Sequence, residues 1–116
     1  MTYRRISTRA RHIFVPYNGK IADITHADTN RHNLDLAAPL SETRTIIAII
    51  VNATRISGSG TIFVYPNEGD KNTQISPGDS RVATVIIAAG MQRLQYYLNV
   101  ANDDFDLNCL GYVAEA

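Results

Sequence analysis

Thr45-Ile-Ile-Ala-Ile-Ile-Val-Asn-Ala-Thr54 decides the fold class of this chain. Its density of β-branched side chains suits an extended strand, where they pack across a pleated surface, and disfavours a helix, where they lose rotamer freedom. Side chains alternate along a strand, so Ile47, Ile49, Val51 and Ala53 fall on one face and Ile46, Ala48 and Ile50 on the other. Both faces are apolar. Such a strand belongs at the centre of a sheet covered on both sides, or at an interface.

Downstream, Thr61-Ile-Phe-Val-Tyr65, Arg81 to Ile87, Leu94 to Val100 and Phe105 to Val113 have strand length and composition. Ser57-Gly-Ser-Gly60 reads as a hairpin loop between the first two runs, and the polar stretch Asn67 to Gly78, with Gly69 and Pro77, reads as a surface loop. Gly90 to Ala101 fits two periods: Met91, Leu94, Leu98 and Ala101 make a helical stripe, whereas Leu94, Tyr96, Leu98 and Val100 alternate. The strand is preferred, because the acidic turn Asn102-Asp-Asp104 leads straight into another alternating run, in which Phe105, Leu107 and Cys109 share a face with Gly111 and Val113. Upstream, His12 to Pro16 is expected as a short strand, Asn18-Gly19 as a tight hairpin turn, and Lys20 to Thr25 as its return strand. His26 to Asn33 is expected as a loop, and Leu34-Asp-Leu36 as an edge strand ended by Pro39. The expected fold is all-β, a jelly-roll-like antiparallel β-sandwich, with residues 1–11 as an extended basic arm and residues 12–116 as one domain.

Length and composition agree with that layout. A chain of 116 residues encloses one core without staples, and 45% hydrophobic with 19% charged residues is a globular composition. The longest apolar run, Ile46 to Val51, is too short to span a bilayer, so no membrane role is expected. No apolar signal core follows the N-terminal arginines before Pro16, so the chain is expected either to stay in the cytoplasm where it is made or to leave by lysis or a dedicated route. Net charge is zero, yet all five lysines and arginines before Asp23 stand without an acidic residue: Arg4, Arg5, Arg9, Arg11 and Lys20. Clustered arginines make bidentate bonds to carboxylates or phosphates. An acidic protein surface is preferred to nucleic acid as partner, because nucleic-acid binders spread basic charge over the folded domain as well. A solvated tail is the plainest alternative.

No catalytic constellation emerges, and no cofactor is implied. Ser57-Gly-Ser-Gly60 lacks the helix and lysine of a phosphate loop. Cys109, the single cysteine, lies in an apolar strand and reads as core, with His12, His26 and His32 as the only histidine bases available to it. His26, Asp28, His32 and Asp35 sit in one polar loop without a common ligand spacing, and Asp103, Asp104 and Asp106 lack the rest of a calcium loop, so no metal site is assigned. Asn52-Ala-Thr54 is a formal glycosylation sequon inside a predicted strand. Tyr96, Tyr97 and Tyr112, with Asn99, Asn102 and Asp104 nearby, offer an alternative as a sugar-stacking platform.

Through Ile50 to Thr54, Gly60 to Pro66 and Asp106 to Val113, the chain resembles small β-sandwich modules of bacterial surface proteins and phage structural proteins. That resemblance covers about the last 70 residues and implies an adhesive or structural unit without enzymatic activity. The missing export signal and the basic arm favour a virion part: a capsid cement or decoration subunit that self-associates, for instance as a trimer, and engages a major shell protein through Arg4, Arg5, Arg9 and Arg11. It would be assembled in the host cytoplasm. A carbohydrate-binding or adhesive module at a cell surface is the alternative.

Overall fold

A computed structural model describes residues 11–65, 73–75, 83–86 and 92–116. Among the described residues, eight strands and one helical turn run in the order β1 (His12–Thr25), β2 (His32–Asp35), α1 (Ala37–Leu40), β3 (Ile46–Ser57), β4 (Ile62–Tyr65), β5 (Thr73–Ile75), β6 (Ala83–Ile86), β7 (Arg93–Leu98) and β8 (Asp104–Glu115). They form two four-stranded sheets, ordered β1-β8-β3-β6 and β2-β7-β4-β5, with every pairing antiparallel. The chain is all-β, as the β-branched runs imply.

Pairing follows a simple rule. β1 with β8, β2 with β7, β3 with β6 and β4 with β5 are the partners of one long antiparallel ribbon folded back between β4 and β5. Docking of β3 on β8 and of β4 on β7 rolls that ribbon into two sheets. Consecutive strands therefore change sheet at every step except β4 to β5. The expected hairpin at Ser57 to Gly60 is corrected accordingly: it carries the chain from the first sheet to the second, since β3 and β4 do not pair.

The two inner faces supply one core. Ile49, Val51, Phe105, Leu107 and Cys109 from the first sheet join Ile62, Val64, Leu94 and Leu98 from the second in a single buried cluster. A fully buried side chain of this size contributes about 2 kcal/mol through lost contact with water. β3 is central in its sheet, flanked by β8 and β6, with Ile46, Ile49 and Val51 in the core and Ile47 and Ile50 partly buried.

Four further expectations are revised. Asn18-Gly19 does not turn the chain, because β1 runs unbroken from His12 to Thr25 and absorbs its extra residues as irregularities between Pro16 and Gly19 and between Lys20 and Ala22. In β8 the ladder to β3 skips Leu110 between Cys109 and Gly111, so the buried phase passes to Tyr112 and Ala114, and Val113 turns out of the core. A bulge does this by placing one extra residue in a strand. The short β5 lies inside the stretch expected as a loop and pairs with Ile62 to Val64. Leu34 and Asp35 belong to an edge strand, as expected, while Leu36 instead leads into α1 and is fully buried.

Candidate functional site

Arg4, Arg5 and Arg9 lie outside the described residues. Arg11 is exposed at the mouth of β1, where its carbonyl accepts the Ala116 N–H at 2.7 Å. Arg11 and Ala116 therefore meet at one end of β1, which is an edge strand paired only with β8 among the described strands. Ile13 and Phe14 follow at once, and the Phe14 ring, 54% exposed, lies across Gly111. A Cβ at Gly111 would meet that ring, which explains a glycine in the middle of a long strand.

The three tyrosines are separated. Tyr112 is 3% exposed and donates to Glu42 Oε1 at 2.7 Å. Tyr96 is 6% exposed and shares a 2.7 Å hydrogen bond with His26 Nε2. Only Tyr97 is half-exposed, and one of its faces is covered by Phe63 with ring centroids 4.9 Å apart. Tyr65 lies next to Tyr97 and carries the Arg31 guanidinium 3.8 Å above its ring. Asn99 Oδ1 accepts the Thr61 N–H, and Asn102 takes a left-handed φ of 65° in the turn before β8.

The polar loop after β1 is more organised than its composition suggests. His26 and His32 stack at 3.6 Å between centroids, with an interplanar angle of 7°. His32 Nε2 meets Asp28 Oδ1 at 2.9 Å, and the His26 carbonyl accepts the Asn102 N–H from the β7–β8 turn at 2.7 Å. Burial, with the neighbouring His32, holds the His26 imidazole below its ordinary range, while the His32 bond pulls the Asp28 carboxyl down. Asp35 is apart from this group and accepts from the Ala38 N–H. The sequence grouped His26, Asp28 and His32 correctly; the contribution of Tyr96, 70 residues away, had no local signal.

Acidic residues take two different roles. Asp103, 4% exposed, accepts the Gly60 N–H at 2.6 Å and ties the β7–β8 turn to the β3–β4 crossing. Gly58, at φ 105°, lies so close that a side chain there would overlap the Asp103 carboxylate. Asp106 is opposite Asp23 on β1, with Lys20 Nζ 2.8 Å from Asp23 and 3.8 Å from Asp106. Burial and the Asp23 hydrogen bond raise the Asp106 carboxyl, while Lys20 lowers that of Asp23. No group of three or more His, Cys, Asp or Glu side chains converges to hold a metal among the described residues.

Cys109 is fully buried, and burial pushes its thiol up, away from a reactive thiolate. The sequon asparagine Asn52 is half-buried on a central strand and accepts from Asn108 Nδ2 at 3.0 Å; the same nitrogen reaches Thr54 Oγ1 at 3.1 Å. A side chain paired across the sheet in this way serves the ladder rather than a glycan. No family model, curated protein or solved structure matches the chain.

Proposed function

We propose that this chain is a non-enzymatic structural subunit, a phage capsid cement or decoration protein that self-associates and docks its N-terminal arm on an acidic surface of a shell protein. The observation that carries the reading is the composition of one end of β1. There an exposed Arg11, continuing three further arginines in sequence, stands beside exposed Ile13 and Phe14 on an edge strand. Charge for steering next to apolar area for adhesion is the composition of an attachment surface. The ribbon-like pairing scheme supports a jelly-roll-like sandwich, an architecture used by capsid subunits and lectins alike, so architecture alone does not choose between them. Burial of Tyr96 and Tyr112 weakens the carbohydrate-binding alternative, which is left with Tyr97.

Replacing Arg4, Arg5, Arg9 and Arg11 together with serine tests the reading. The domain is expected to keep its circular-dichroism spectrum and thermal midpoint, because exposed charges contribute little to stability. Co-sedimentation with partner shells is expected to be lost, and wild-type attachment to weaken as salt rises. Full attachment of a variant lacking residues 1–11 at moderate salt would contradict the proposal.

A further inference from the structure

We infer that the His26, Asp28, His32 and Tyr96 cluster is an acid-released latch that holds the β1–β2 loop against β7 near neutral pH and frees it when both imidazoles are charged. The inference is independent of the capsid reading. Two imidazoles stacked at 3.6 Å tolerate one charge, which one ring's π face accommodates, but not two. His26 bonds Tyr96 on β7, its carbonyl holds the Asn102 N–H, and β2 itself is a four-residue edge strand paired only with β7 among the described strands.

The groups facing His26 set the cost of charging it. From its own loop comes Asp28, from the first residue of β2 His32, and from β7 the Tyr96 phenol. Asp28 is bonded to His32, so a proton on His32 has a counter-charge at 2.9 Å. A proton on His26 has no bonded carboxylate, and with both rings protonated it faces a like charge across the stack. Burial holds its pKa below the unfolded value, so the folded loop binds fewer protons than the open one. Stability of the closed loop is therefore full above the ordinary histidine range and is lost as pH falls through it. Opening also withdraws Arg31 from the Tyr65 ring and from Gln95, uncovering aromatic surface beside Tyr97 and Phe63. The latch thus gates an apolar face by pH.

Amide hydrogen exchange by nuclear magnetic resonance, corrected for the intrinsic rate, reads the latch directly. Between about pH 7.5 and about pH 5, protection of Asn102 and of the β2 amides is expected to fall at least ~10-fold, while Leu107 and Cys109 in β8 stay protected. His26→Gln keeps a hydrogen-bonding group toward Tyr96 but cannot charge, and is expected to stay protected at the lower pH. His32→Gln removes the second charge and is expected to move the transition to lower pH, which decides the matter should His26→Gln fail to fold. Unchanged wild-type protection across this range, or a wild-type profile retained in the variants, would overturn the inference.

Discussion

Glu42 shows how much one buried carboxylate organises. It is 9% exposed and follows the left-handed Ser41 that ends α1, which aims its side chain back under β8. Oε1 accepts from Tyr112 and from Arg44 Nη2, and Oε2 from the Arg44 backbone N–H and Nε. These donors, Arg44 foremost, hold the carboxyl far below its ordinary value of 4.5, while burial and the same bond push the Tyr112 phenol up from 10.0 to about 12. The Arg44 side chain is 40% exposed, so water screens part of the ion pair. The depressed Glu42 makes stability that is present above about pH 4.5 and is lost as pH falls toward its folded value. The raised Tyr112 works from the other side: its stability is complete below 10.0 and is lost as pH climbs toward 12. Thermal midpoints measured against pH are expected to fall less steeply into acid for Glu42→Gln than for wild type, and less steeply into alkali for Tyr112→Phe. Parallel curves would show that the trio carries no pH-linked stability.

At the scale of elements, β1 is the exposed margin of the fold and shows how such a margin is protected. A long edge strand presents unpaired backbone groups to other chains, and proline, lysine and bulges blunt that hazard. β1 has all three, in Pro16, Lys20 and two ladder irregularities. Pro16→Val is expected to leave the thermal midpoint within a few degrees and to lower the concentration at which light scattering appears; unaltered scattering would show that Pro16 does not guard the edge. The same strand marks where sequence reading fails. Asn18-Gly19 carries the local chemistry of a hairpin turn, yet the chain continues straight because β8 offers a partner along its whole length, from Glu115 to Asp104. Local turn preference amounts to a few tenths of a kcal/mol to about 1 kcal/mol, less than the ladder and burial it would interrupt. β3, by contrast, was legible because both of its faces are apolar, and β7 because Leu94, Tyr96 and Leu98 alternate through to the core. The β8 bulge left no mark in composition; Gly111 under Phe14 is its nearest signal, and reading it required knowing that β1 lies alongside.

For the whole molecule, the class of fold follows from alternation and the pairing scheme from long-range contacts, which no single run of residues encodes. The candidate sites divide in the same way. The basic arm is plain in sequence because charge needs no partner to be seen, whereas the His26–Tyr96 and Tyr112–Glu42 hydrogen bonds join residues 70 positions apart. Tyr96 and Tyr112 looked available because alternation assigns a face but does not say which face is inward. The central claim is that this chain is a part of a particle, held there by its arm. Gradient sedimentation of a native lysate, with quantitative mass spectrometry of each fraction, measures that most directly. The account predicts that the chain travels with large particles at a fixed ratio to one major shell protein, and that salt of about 1 M strips it off, since attraction between exposed charges is then screened within ~3 Å. Recovery of the chain only in light fractions, or on cell envelopes without any shell protein, would contradict it.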